Sequence, residues 1–371
     1  MNEPCRIAFL YVGGVHHVAH TLPVAAALSH RENMKVSAFC ADATVEAEVR
    51  SLLGDFPMAK VDVRRLRRPG LLDCIGRPSL AKLPMLWRSR RDLRDFDALV
   101  SAECTSIALK HMGVTRPLYI CQPHGAGDRA ISYEPRFRRF DRVLVAGSKS
   151  ARRMVENGVS ADRVRQVGYP KAEYLADKAR SRPRPFENDR PIVLYNPHFR
   201  AELSSLTQAP EIVRAIARKS DVNLIVAPHI RAFENASAEN LQRWQSLAVP
   251  GQVLVDTGSP RMIDMSHVAA ADLYLGDVSS QVYELLLLNP RPCLFVNAHG
   301  VQWQGDPDYA FWKLGEVIAP DGVVPAIEVA LNQADRFVEA QRTAVAETFG
   351  TLEGSAERAA TAILDSLGEL R

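Results

Sequence analysis

The stretch DLYLGDVSSQVYELLLLNPRPCLFVN, residues 272–297, reads as strand, turn, helix and strand. The apolar run 272–276 stops at Asp277, and two serines follow. An amphipathic stretch, 279–288, leads to Pro290 and Pro292 before a second apolar run, 292–297. A helix between two short apolar strands is the signature of a parallel pair joined by a crossover.

Outward from this unit the rhythm repeats. Strands are expected at 191–195, 222–227 and 252–256 upstream of it, with helices at 209–219, 236–247, 260–270 and 307–314. The earlier half shows strands at 5–12, 35–41, 60–65, 97–102, 117–122 and 141–146, and helices at 19–30, 44–53, 79–94, 104–112 and 148–157. SRPRPFENDRP, 181–191, carries three prolines and five charges and reads as a linker. Helices at 333–348 and 353–369 end the chain. The expectation is an α/β protein of two Rossmann-type, doubly wound parallel-sheet domains facing across a cleft. Residues 1–180 form the first domain and 191–350 the second, with the helix 351–371 packing back on the first.

Composition sets limits. The 371 residues are 47% hydrophobic and 24% charged, which is ordinary for a globular chain with a sizeable core. A formal charge of +3 is too small for a nucleic-acid footprint, so no nucleic-acid partner is expected. The six cysteines are scattered without a C-x-x-C pair and read as reduced, buried thiols. No run approaches the roughly 18 apolar residues of a membrane span. MNEPCRIAFLYV has no basic head, so a cytoplasmic protein is expected.

The chemistry-bearing residues fall at strand ends. Ser279 and Ser280 stand where one of them can cap the following helix, whose amide-rich start suits a phosphate. Asp277 precedes them, and Glu284 follows a turn later, placed for a ribose diol. QPHGAGDR, 122–129, presents His124 after a strand, a proline and a glycine-rich turn, and imidazole suits general-base work near neutral pH. LYNPHFR, 194–200, and LIVAPHIR, 224–231, repeat the strand–proline–histidine arrangement with His198 and His229. Arg200 suits a diphosphate through forked hydrogen bonds. YVGGVHHVAH, 11–20, lacks the dinucleotide spacing. Its His16, His17 and His20 show no metal-ligand spacing and are expected to line the acceptor side of the cleft or to shape the loop, and His198 and Asp277 are also expected to line the cleft. Ten Lys/Arg between Arg64 and Arg94, interleaved with leucines and Trp87, make a surface for an anionic membrane leaflet.

As an ordered set, PHGAGD, DRVLVAGSKSARRMVENGV, VRQVGYPKAEYL, VLYNPHFR, LIVAPH and GDVSSQVYELLLLNPRPCLFV resemble the CDP-glycerol glycerophosphotransferases over roughly residues 117–300. That resemblance implies a GT-B-like fold and transfer of glycerol phosphate to a membrane-linked acceptor. It makes His124 the proposed base and His229 the histidine that handles the phosphates. It aligns Arg200, Ser279 and Ser280 with the diphosphate. The sequence departs from the family at Pro123, His198 and Val278, where a Trp, a Thr and an aromatic residue are usual. The reading is a metal-independent transferase without a cofactor, taking a nucleotide-diphosphate donor, CDP-linked, and a lipid-linked or glycan acceptor. An NDP-sugar glycosyltransferase, a UDP-GlcNAc 2-epimerase-like enzyme and a non-catalytic nucleotide-binding protein stand as alternatives.

Overall fold

The computed structural model describes residues 3–68, 78–125, 127–128, 130–233 and 236–370. The chain divides into two compact units. One comprises Met1–Ala126, Ile131–Tyr174 and Glu347–Arg371; the other comprises Gly127–Ala130 and Leu175–Ala346.

The first unit runs β1 (Cys5–Tyr11), α1 (Val18–Ser29), β2 (Met34–Cys40), α2 (Ala43–Leu53), β3 (Val61–Arg65), α3 (Pro78–Leu93), β4 (Ala98–Ser101), α4 (Ala108–His111), β5 (Leu118–Cys121), β6 (Arg142–Val145), α5 (Ser148–Glu156) and β7 (Val164–Gln166). Helix α6 (Pro170–Arg180) carries the chain into the second unit. There follow β8 (Ile192–Asn196), α7 (Ala209–Lys219), β9 (Asn223–Val226), α8 (Ala238–Gln245), β10 (Val253–Val255), α9 (Ser266–Ala270), β11 (Leu273–Gly276), α10 (Gln281–Leu288), β12 (Cys293–Val296), β13 (Glu316–Ile318) and α11 (Val323–Asn332). Helix α12 (Val338–Phe349) returns to the first unit, where α13 (Ser355–Glu369) packs on α1.

Every strand pair within the two sheets is parallel. The orders are β3-β2-β1-β4-β5-β6-β7 and β10-β9-β8-β11-β12-β13. Each reverses direction once, between β1 and β4 and between β8 and β11, and loops beyond the carboxyl ends at such a point form a natural ligand site. Side-chain alternation explains the layers. Along β1, Ile7, Phe9 and Tyr11 join α1 and α13 in one core, while Ala8, Leu10 and Val12 join α3, α4 and α5 in another. A third core, from Val193 to Ala330, fills one face of the second sheet under α7 and α11.

The short edge strands β7 and β13 and the helices α6 and α11 carry no clear signal in the sequence. Three-residue edge strands show too little alternation to read. VVPAIEVALN opens α11 with β-branched residues and a proline, yet a proline in the first helical turn gives up only an amide that has no partner there. Residues 307–314 form a 3-10 helix rather than an α-helix. Cys40, Cys104, Cys121 and Cys293 are buried free thiols and Cys5 is a partly buried one; Cys74 lies outside the described residues. Among the described residues no helix is long and apolar enough to cross a membrane.

Candidate functional site

In the first unit the loop after β1 folds around two glycines. A Cβ on Gly13 would stand 1.9 Å from a ring carbon of His17, so only glycine lets that imidazole lie against the backbone. Gly14 takes φ 110°, which L side chains rarely adopt. A 3-10 turn, Val15–His17, then presents His16 and His17, and α1 adds His20.

His124 joins them from beyond β5. Ser101 and Cys121 are register partners, which brings the loop after β5 beside Ala102. Ala102 O accepts from the His124 backbone N–H at 3.2 Å and lies 2.9 Å from Nδ1. The ring centroid of His124 is 4.0 Å from that of His17, 5.7 Å from His16 and 6.2 Å from His20. Because a carbonyl oxygen only accepts, Nδ1 carries the proton and the Nε2 of neutral His124 carries the lone pair. Burial holds His17 and His20 well below the usual imidazole range, and neighbouring positive groups add to it. Loss of hydration also lowers His124, against the hydrogen bond to Ala102, although part of its side chain is open to solvent. His124 is therefore neutral at pH 7, which is what a base requires.

His16, His17 and His124 each offer one nitrogen within 4.8 Å of the others, so these three could close on a transition-metal ion. The spacing of His16, His17 and His20 alone carries no such signal. The third nitrogen comes from a different strand end.

These depressed imidazoles set a pH dependence. Between their folded values and about 6.5 the unfolded chain binds more protons than the folded one. Their contribution to stability therefore rises with pH through that window and is level above it. Thermal unfolding should show a lower Tm at pH 5.5 than at pH 7.5, and His20→Gln should flatten the difference. An unchanged slope in His20→Gln would remove this assignment.

The second unit presents two matched strand ends. Pro197–His198–Phe199–Arg200 follows β8 and Pro228–His229–Ile230–Arg231 follows β9. In each, the histidine Nδ1 accepts the arginine backbone N–H two residues on, at 3.3 Å for His198 and 3.2 Å for His229. Both neutral imidazoles thus carry their proton on Nε2, the opposite tautomer to His124. The His229 N–H donates to Pro197 O at 2.9 Å and ties the two loops together. Phe199 completes a triangle of rings, its centroid 4.3 Å from His198 and 5.0 Å from His229, which are 5.5 Å from each other. The Arg231 guanidinium sits 4.4 Å and that of Arg200 5.8 Å from the Phe199 ring centre. Arg200 is exposed and His198 is buried. Phe199 and Arg231 were missed as site residues, although the repeated Pro-His-x-Arg was the signal for both.

Asp277 was expected to line the cleft, but the structure buries it completely. Its carboxylate accepts the N–H groups of His198 (2.9 Å), Ser205 (2.9 Å) and Val278 (2.7 Å) and the Ser205 hydroxyl (3.1 Å). Burial pushes its pKa up to about 6 against those four bonds. Asp277 therefore positions the His198 loop, because β11 and β8 pair with Gly276 opposite Asn196.

At the start of α10, Ser280 occupies the N-cap position in helical geometry and makes no capping bond with its side chain. Ser279 is buried, and its oxygen accepts the Gln281 N–H at 3.4 Å. Ser280 is exposed. Glu284, expected at a ribose, lies on the buried side of α10 near Met262, Met265 and His267. A further pair escaped the sequence. Asp256, just beyond β10, meets His267 Nε2 at 2.7 Å and accepts the N–H groups of Gly258 and Ser259 at 3.0 and 2.7 Å. Burial acts to raise the Asp256 carboxyl, but these bonds outweigh it and hold it well below the usual range. From the loop after β5, Ala126 and Arg129 lie outside the described residues, as do residues 69–77 of the basic stretch. On α3, Leu83 and Trp87 are exposed, with the Arg90 guanidinium 4.1 Å from the Trp87 ring centre.

No protein-family model and no curated protein matches the chain. Solved structures do. The S. aureus MnaA–UDP co-structure superposes with a TM-score of 0.65 at 14% identity, over 98% of this chain and 97% of that one. UDP-GlcNAc 2-epimerase from Neisseria meningitidis, bound to UDP-GlcNAc, gives 0.61 at 12% identity, over 98% and 100%. The wall teichoic acid polymerase TagF gives 0.61 at 12% identity, over 100% and 90%. Likeness at such identities speaks for the fold, and with the two parallel sheets it establishes a two-unit, Rossmann-like GT-B fold.

Proposed function

We propose that the chain is a transferase that moves a phospho-alcohol, glycerol phosphate or a close relative, from a CDP-activated donor to a hydroxyl of a lipid-linked or glycan acceptor. The observation that carries this reading is the matched pair of Pro-His-x-Arg strand ends, two Nε2–H donors and two guanidinium groups set around Phe199. Such a set neutralises and orients a diphosphate without a metal ion. Ser279 and Ser280 at the α10 start are the proposed further ligands of the phosphates.

In the reaction the acceptor hydroxyl gives its proton to Nε2 of His124 as its oxygen attacks the donor's β-phosphorus. The bond from that phosphorus to the bridging oxygen breaks, and its electron pair leaves on CMP. His198, His229, Arg200 and Arg231 stabilise the charge that gathers on the phosphates. The exposed Leu83 and Trp87, with Arg88, Arg91 and Arg94, suit contact with an anionic leaflet that carries the acceptor.

A second reading is chemistry at a sugar carbon with a UDP-sugar. The likeness to the S. aureus MnaA–UDP co-structure and to the Neisseria meningitidis UDP-GlcNAc 2-epimerase favours it.

The test is a binding series of CMP, CDP-glycerol, UDP and UDP-GlcNAc, followed by product analysis with membrane extracts. CDP-glycerol should bind at least about tenfold tighter than UDP-GlcNAc, and CMP release should depend on acceptor. Preference for UDP-GlcNAc with UDP release turns the assignment to the second reading. Binding of CDP-glycerol without CMP release makes the chain a non-catalytic nucleotide-binding protein.

A further inference from the structure

A cavity of about 280 Å³ opens in the second unit, away from the strand ends that carry the histidines. Its walls come from the segment Ala179–Pro185, from α9 and from the residues just before β11 and β12. It therefore lies toward the amino ends of strands whose carboxyl ends lead into the His198 loop and the Ser279 turn. The volume is just below the roughly 300–1,000 Å³ typical of ligand pockets, which suits a small ligand.

Five arginines line it: Arg180, Arg182, Arg184, Arg261 and Arg291. Three are matched by carboxylates, Arg180 by Asp177 at 2.9 Å, Arg182 by Asp264 at 2.7 Å and Arg184 by Asp272 at 3.4 Å. The other two are not. Arg291 donates to the carbonyls of Val268 (2.8 Å), Ala269 (3.4 Å) and Ala271, and makes no ion pair among the described residues. Burial lowers its pKa, the nearby Asp272 carboxylate and Cys293 act against that, and Arg180 acts with it. The Arg261 side chain has no hydrogen bond or ion pair among the described residues.

Five guanidinium groups against three carboxylates leave positive charge in excess around the cavity, and half-buried charge in excess is costly. An anionic ligand would offset that excess. Guanidinium forks fit phosphoryl oxygens in pairs. We propose that this cavity is a second anion site that takes a small phosphorylated molecule, a phosphate ester or diphosphate, independently of the strand-end site. A ligand there sits beside His267, whose Nε2 holds Asp256.

The test uses the full chain and inorganic pyrophosphate at low ionic strength, read by isothermal titration calorimetry. Because pyrophosphate also suits the strand-end site, the reference protein is the Arg200→Ala/Arg231→Ala variant. It should still bind pyrophosphate. Adding Arg184→Glu and Arg261→Glu should weaken that binding at least about tenfold. Circular dichroism checks that each variant keeps its fold. The proposal is overturned if the reference variant binds no pyrophosphate at millimolar concentration, or if the added substitutions leave its affinity unchanged. Nucleotide binding by the wild-type chain answers separately for the strand-end site, so the two assignments fail independently.

Discussion

Replacing His124 with Asn should lower kcat by about 10²–10⁴-fold, the range that a positioned base contributes. The Asn amide can still donate to Ala102 O, where Nδ1 now lies 2.9 Å away, so the loop after β5 keeps its anchor. Only the Nε2 lone pair is lost. Nucleotide affinity should stay within about twofold, because the proposed donor ligands are Arg200, Arg231, His198 and His229 of the other unit. The wild-type pH profile should show an acid limb with its midpoint below about 6.5, since the His124 pKa is lowered. Below that midpoint the imidazole is protonated and cannot accept the hydroxyl proton. A drop in kcat of less than about threefold, or an acid limb that persists in the variant, would rule out His124 as the base.

Asp277→Ala should cost at least about 3 kcal/mol of stability in the second unit, since the carboxylate accepts four hydrogen bonds in a fully buried site. Its removal strands three buried N–H donors and the Ser205 hydroxyl. Asp277→Asn should help little, because its amide nitrogen would face donors on the side where Ser205 now meets Oδ2. Urea unfolding provides the measurement, with the transition of the second unit followed by intrinsic fluorescence; Trp312, whose indole N–H donates to the Asp277 carbonyl at 2.6 Å, is its natural reporter. A loss below about 1 kcal/mol would show that the His198 loop holds its shape without this carboxylate.

Both cases mark the boundary between local and non-local information. The eleven strands read from the sequence are all present, with ends shifted by a residue or two. Their apolar runs are bounded by Gly, Pro and Asp, and turn chemistry of that kind is written in a few adjacent residues. The Pro-His-x-Arg repeat was equally legible, and so was the glycine pair before His16. The edge strands β7 and β13 were not, because three residues at a sheet edge need not alternate.

By itself, then, the sequence determined the parallel α/β architecture of two doubly wound sheets and the placing of histidines and serines just past strand ends. Only the tertiary structure decided what those groups can do. Strand order and register set Ala102 O against His124 Nδ1, bring His124 to His16 and His17, lay Arg231 over Phe199, bury Asp277 under the His198 loop and gather five arginines around one cavity. Protonation site and burial depend on neighbours distant in the chain, and those neighbours meet only once strands from separate βα units lie side by side.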